Sequence, residues 1–285
     1  MSDVDVHPTP GVAETIAVRR LTRHIGAEIT GIDLGRGWDE PAFARIHQAL
    51  MDHGVVFLRD QTLDIDQQLA FASRFGTPAY SKKLPMYDER HETVSLLEND
   101  GSRIAVGARW HTDNTDWREP PMGALLFCEV APSVGGDTVF ASMYAAYEAL
   151  SPRMQSILDG MRALHDNSLV QKTYGGTGTL RTEGTAVGAP VEHPIVRTHP
   201  VTGRKALFVN AVYTRRIVGL SEAESDALLG MVYRHLERPE FQCRFRWQAD
   251  SLAIWDNRCV QHYAVDDYQE LRRMRRVQIL GDRPF

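Results

Sequence analysis

His111 and Asp113 stand two positions apart in Arg109-Trp110-His111-Thr112-Asp113, and a second histidine, His262, follows far downstream in Trp255-Asp256-Asn257-Arg258-Cys259-Val260-Gln261-His262-Tyr263. Residues i and i+2 of an extended segment point the same way. His111 and Asp113 therefore reach one point together, and His262 must arrive from a strand or loop folded back against them. Two imidazoles and one carboxylate on one side of an ion form the facial set that suits ferrous iron with open positions. Zinc accepts the same donors, so a zinc-dependent hydrolase stands beside an oxygenase as a reading of these three residues alone. A non-catalytic binding protein is a further alternative.

The chain has 285 residues, which allows one or two domains. Its formal net charge is −5, so nothing implies a general attraction to nucleic acid or to an anionic membrane. Recognition of an anion must then come from local clusters of arginine and lysine. Cys128, Cys243 and Cys259 are widely spaced and form no zinc-type CxxC pair. They read as reduced, buried residues of a cytoplasmic protein. The first residues carry Asp3 and Asp5 and no apolar run, so no signal peptide is expected. No stretch is apolar for long enough to span a bilayer.

Residues 1–14 read as a flexible polar arm, and 15–285, with no internal repeat or dividing linker, as one domain. Alternation from Val18 to Leu34 indicates strands. Asp39 to His53 places Phe43, Ile46, Leu50 and Met51 on one helical face, and Asp64 to Phe75 reads as a second helix behind an aspartate cap. Val55 to Leu58 is a buried strand, whereas 77–109 reads as loops. Strands are expected at Gly123–Val130, Thr138–Phe140, Phe245–Trp247, Ser251–Trp255 and Arg275–Leu280, and a hairpin from Ile195 to Val209 turning at Pro200–Gly203. Helices are expected at 142–150, at 153–164 and from the capping box Ser221-Glu222-Ala223-Glu224 to Arg234. Residues 168–190, rich in Gly and Thr, read as a lid, since a long aperiodic segment is usually functional or disordered. Many short strands with helices outside them indicate a mainly β fold with a closed or folded-over double sheet.

Two further groups bear on the chemistry. In Arg272-Arg273-Met274-Arg275-Arg276, strand alternation puts Arg272 and Arg276 on one face and Arg273 and Arg275 on the other. One pair is expected in solvent and the other inside the fold. An inward arginine needs an anionic partner, because an unpaired buried charge is costly, and its planar fork suits a carboxylate. The Thr138 hydroxyl, after the turn Gly135-Gly136-Asp137, is a second group able to hydrogen-bond a carboxylate.

Together, Trp110-His111-Thr112-Asp113, Gly135-Gly136-Asp137-Thr138, Trp255-Asp256-Asn257 and His262 with the arginines resemble the TauD/TfdA family of Fe(II)- and 2-oxoglutarate-dependent dioxygenases. The likeness begins near Leu21 and includes the glycine-punctuated segment Ile25 to Leu34. His199-Pro200, Gly203-Arg204-Lys205, Phe208-Val209-Asn210 and Tyr213 are more similar to the aryloxyalkanoate branch than to the taurine branch. The resemblance implies a double-stranded β-helix, or jelly-roll, core with flanking helices. It implies Fe(II) held by His111, Asp113 and His262, with 2-oxoglutarate and O2 as co-substrates. Thr138 and Arg272 would take the distal carboxylate of 2-oxoglutarate; the loop 266–271 is a residue shorter than in several relatives, which makes Arg273 the alternative. Arg276, Tyr213 and Gly107 would line the substrate site, with Lys82, Lys83 and Arg109 adding positive charge near its mouth. The implied reaction oxidises an unactivated C–H bond of a small anionic substrate and releases succinate and CO2. A natural-product tailoring oxygenase of the same family, performing hydroxylation, desaturation or ring chemistry, is the alternative outcome. Relatives of this kind form dimers or tetramers, so a homo-oligomer is compatible with the chain.

Overall fold

The computed structural model describes residues 15–80, 84–102, 104–174 and 187–285. The expected arm at 1–14, Lys82 and Lys83, and the middle of the expected lid lie outside them. Fifteen strands are found among the described residues: β1 (Ala17–Arg20), β2 (Ala27–Thr30), β3 (Val55–Leu58), β4 (Val94–Asn99), β5 (Gly123–Val130), β6 (Thr138–Ser142), β7 (Arg162–His165), β8 (Val191–Pro194), β9 (Val196–Thr198), β10 (Lys205–Leu207), β11 (Thr214–Ile217), β12 (Gln242–Phe245), β13 (Leu252–Asp256), β14 (Val260–Ala264) and β15 (Arg272–Ile279). The helices are α1 (Glu40–His53), α2 (Ile65–Ala72), α3 (Met143–Glu148), α4 (Pro152–Leu158), α5 (Ser168–Tyr174) and α6 (Glu222–Leu236).

The larger sheet runs β1-β2-β3-β13-β5-β15-β4, and a smaller one runs β12-β6-β14. Strands from both ends of the chain therefore share one sheet. Val55-Val56-Phe57-Leu58 explains why both faces of that sheet are covered. All four side chains are buried, and strand alternation sends Val55 and Phe57 inward and Val56 and Leu58 outward. On the outside, α1 and α2 lay Phe43, Ile46, Leu50 and Phe71 against Val56, Leu58, Phe127 and Val277. Both helices start on side-chain caps: Asp39 accepts the Ala42 N–H, and Asp64 and Gln67 form a reciprocal capping box. On the inside, Phe57 stacks on Phe245 of the small sheet with centroids 4.0 Å apart, and Phe140 faces Trp255. Each such buried aromatic contributes about 1.5–3 kcal/mol.

Four expectations about elements need correction. The strand expected at Phe245–Trp247 lies earlier in the chain, as β12, and ends at Phe245. Residues 94–99, read within a loop region, form β4 as the partner of β15. The helix expected at 153–164 ends at Leu158, and Arg162–His165 forms β7 between β8 and β11. Residues 168–174, the start of the expected lid, are helical.

The arginine strand also departs from expectation. Arg272 and Arg276 do point inward and are buried. The opposite pair is not simply in solvent, because α2 covers that face. Arg275 is buried there, donating to Gln68 Oε1 at 2.7 Å and to Glu129 Oε1 at 3.0 Å over the Phe127 ring. Arg273 is half-exposed and pairs with Glu98 and Glu129 at 3.4 and 3.0 Å.

Candidate metal centre and adjoining cavity

His111 lies beside β14, where it forms an isolated antiparallel bridge with His262. The His111 N–H donates to the His262 carbonyl at 3.1 Å, and the reverse bond is 2.9 Å. This short pairing carries the two imidazoles to the same place, with ring centroids 4.1 Å apart. Asp113 Oδ1 is 3.5 Å from His111 Nε2 and 3.9 Å from His262 Nε2. The three donor atoms thus lie within 4.8 Å of one another, and all three residues are buried.

Their orientation has separate causes. The His111 Nδ1–H donates to the Arg109 carbonyl at 2.8 Å, which leaves the Nε2 lone pair facing the cluster. His262 Nδ1 meets no hydrogen-bond partner among the described residues; Trp255, with its centroid at 4.8 Å, packs the ring instead. The Asp113 backbone is clamped by one side chain, Asn257. Its Oδ1 accepts the Asp113 N–H at 2.9 Å, and its Nδ2 donates to the carbonyls of Asp113 and Pro121 at 3.1 and 3.0 Å. Gly107, at φ +88, lies against His111, where an added Cβ would fall 3.0 Å from the ring.

Electrostatics suit a divalent cation. Burial opposes the charge on Asp113, yet Arg276, at 3.2 Å, and the two imidazoles hold its carboxyl well below the usual range. Burial and the neighbouring His111 push His262 down to about 3, so its imidazole is neutral and able to ligate. A second cluster, His199, Asp256 and Cys259, has the residue types of a metal site, but its imidazole and carboxylate are already engaged. His199 Nδ1 accepts the N–H groups of Val201 and Thr202, its Nε2–H donates to Asp256 at 2.9 Å, and Arg258 takes both oxygens of that carboxylate.

One cavity is lined by all eight residues expected at the site: His111, Asp113, His262, Thr138, Arg272, Arg276, Tyr213 and Gly107. Arg109 also lines it. Arg272 is the informative member. Its Nε donates to the Gly136 carbonyl at 3.0 Å and its guanidinium stands 5.8 Å from the Trp247 centroid. It has no acidic partner among the described residues, and burial lowers its pKa. Thr138 Oγ1 accepts the Trp247 indole N–H at 2.9 Å, so its own O–H remains a donor. Trp247 and Asn257 were not assigned roles from sequence. Nor were Leu169, Val170, Thr173 and Tyr174, which α5 adds as one wall of the cavity.

The folded-over sheets bring two histidines and a carboxylate together beside a buried arginine that has no acidic partner among the described residues, an arrangement that fits a metal-dependent oxygenase. Residues 17–278 match the family model "Taurine catabolism dioxygenase TauD, TfdA family". An alpha-ketoglutarate-dependent sulfate ester dioxygenase from Pseudomonas putida is 37% identical over 99% of this chain and 91% of its own. An alpha-ketoglutarate-dependent 2,4-dichlorophenoxyacetate dioxygenase from Cupriavidus pinatubonensis is 33% identical over 87% of this chain and 92% of its own. A crystal structure of a taurine dioxygenase from Burkholderia xenovorans superposes with a TM-score of 0.80 at 36% identity, covering 95% of this chain and 92% of that one. The chain belongs to the TauD/TfdA family of dioxygenases, enzymes that use Fe(II), 2-oxoglutarate (alpha-ketoglutarate) and O2.

Proposed function

We propose that this dioxygenase oxidises a C–H bond of a small organic anion, with His111, Asp113 and His262 as its iron ligands. The observation that carries the reading is Arg272, a buried cation without an acidic partner among the described residues, in the same cavity as the three donors. A dicarboxylate that reaches the metal with one end and Arg272 with the other gives each group the partner it lacks. Thr138 adds a hydroxyl donor to the same carboxylate. The ligand set fits ferrous iron: two imidazoles and one carboxylate leave positions open for a bidentate co-substrate.

Bound iron supplies the activation of O2 that drives decarboxylation of 2-oxoglutarate to succinate and oxidation of the substrate. The protein supplies placement. Arg276 and Arg109 bring positive charge to the cavity, while Leu169, Val170 and Val212 make its wall apolar. This combination suits an anionic head with an apolar body. It accords with the names of the two relatives, one acting on sulfate esters and the other on 2,4-dichlorophenoxyacetate. Tyr213 and the side-chain-free Gly107 limit where that body lies. We take 15–285 as one catalytic unit, since β1–β3 and β13–β15 share a sheet. The three free, buried cysteines fit a reducing cytoplasm. Among the described residues, no helix is long and apolar enough to cross a membrane.

The test is a turnover screen with Fe(II) and 2-oxoglutarate over alkyl sulfates, alkyl sulfonates and aryloxyacetates. The reading expects succinate formation stimulated by at least one anionic class and not by the matching neutral alcohols. Stimulation by neutral compounds alone would contradict it.

A further inference from the structure

The cavity wall formed by Val212 and Tyr213 is tied to the segment carrying Asp113 by a buried polar brace that takes no part in metal or co-substrate binding. Asn210 is its centre and is 1% exposed. Asn210 Oδ1 accepts the N–H groups of Val212 and Tyr213 at 3.1 and 2.9 Å, which sets the turn that presents both side chains to the cavity. The other end of the same amide, Nδ2, donates to Thr115 Oγ1 at 3.1 Å. Thr115 is fully buried and lies two residues after Asp113.

The brace is fixed from behind. His165 Nδ1 is 3.0 Å from Thr115 Oγ1, and the His193 Nε2–H donates to the Thr115 carbonyl at 3.0 Å. The Asn210 N–H donates to Thr214 Oγ1 at 2.9 Å, and its carbonyl accepts the Tyr233 O–H at 3.2 Å. Burial disfavours the charged forms of both histidines and lowers their pKa values. A satisfied buried network of this kind specifies one geometry, since each broken member leaves an unpaired polar group.

We propose that Asn210 and Thr115 are positioning residues that set substrate specificity: one amide fixes the distance between the Val212–Tyr213 wall and Asp113, and so the place of the oxidised C–H bond relative to the metal. The proposal rests on the reading of Asp113 as a metal ligand and of this cavity as the substrate site. A misplacement of a reacting group by about 1 Å can cost on the order of a hundredfold in rate. Loosening the brace should therefore release 2-oxoglutarate consumption from substrate oxidation while leaving the co-substrate's own contacts alone.

The variants are Thr115→Val, which removes the hydroxyl at nearly constant shape, and Thr115→Ser, which restores it. Asn210→Asp keeps the acceptor for Val212 and Tyr213 and removes the donor to Thr115. Hydrogen exchange on the full chain reads the brace without any substrate. Thr115→Val and Asn210→Asp should speed exchange at the Val212 and Tyr213 amides at least tenfold, and Thr115→Ser should return it to within about twofold of the parent. With hexyl sulfate or 2,4-dichlorophenoxyacetate as probe, Thr115→Val should raise the ratio of succinate to oxidised probe and raise the probe KM about fivefold or more. Its Mn(II) affinity should stay within about twofold. Unchanged exchange in folded Thr115→Val and Asn210→Asp would overturn the brace. Faster exchange with an unchanged KM and coupling ratio, or a parallel loss of Mn(II) affinity, would overturn its role in specificity. A parent protein that oxidises neither probe counts against the assigned substrate class, and exchange still decides the brace.

Discussion

Single side chains divide the work of the site in ways that substitution can separate. Asp113→Ala removes the only carboxylate of the donor cluster. It is expected to abolish Fe(II)-dependent succinate formation; retained turnover would count against the ligand assignment. Arg272→Ala should raise the 2-oxoglutarate concentration needed for half-maximal rate by the equivalent of about 1.5–3 kcal/mol, the worth of a charge-assisted hydrogen bond. Arg273→Ala should shift it little, because that side chain is half-exposed on the opposite face and already paired with Glu98 and Glu129. If Arg273→Ala produces the larger shift, the roles are reversed. The meeting of His111, Asp113 and His262 was legible in sequence from their residue types and strand spacing, whereas alternation left open which pair of arginines faces inward and only the family resemblance pointed to Arg272 and Arg276. Asn257 and Trp247 were not, since their roles consist of contacts with residues more than a hundred positions away, such as Asp113 and Thr138.

At the scale of elements, the turn joining β13 to β14 is built around a buried ion pair. Asp256 is 1% exposed; burial raises its pKa, but Arg258 and His199 outweigh that effect and hold its carboxyl below the usual range. A carboxyl depressed in the folded state stabilises the fold above its unfolded pKa, near 3.9, and loses that contribution as pH falls through the folded value. Asp256→Asn leaves Arg258 buried without its partner, so thermal or denaturant unfolding at pH 7 should show a loss of about 3–5 kcal/mol. The gap from the parent protein should shrink below pH 4, and a constant gap would argue against the ion pair as its source. Elements with their own signal, such as α1 with its aspartate cap and amphipathic face, were readable locally. β4 was not, because its identity comes from pairing with β15 rather than from an alternating pattern. β7 was masked by the helix before it: Arg162-Ala163-Leu164-His165 continues an apolar rhythm, and only β8 and β11 on either side make it a strand.

Over the whole molecule, the proposed site would have the metal and co-substrate join parts of the chain that meet only on folding: the segment 107–113, β6, β14 and β15. A ligand that binds the native state alone stabilises it by about 2.7 kcal/mol at a hundred times its Kd. Mn(II) with N-oxalylglycine, a redox-inert mimic of the co-substrate pair, should therefore raise the unfolding temperature in a concentration-dependent way. A chelator should reverse the shift, and His262→Ala should lack it. An equal shift in His262→Ala would place the ion elsewhere.

The most direct test of the central claim is a crystal structure of the protein with Mn(II) and N-oxalylglycine. The account predicts one ion bound by His111 Nε2, the Asp113 carboxylate and His262 Nε2, with the distal carboxylate of the ligand on Arg272 and Thr138. An ion held by other residues, or a ligand whose distal carboxylate lies away from Arg272, would contradict it.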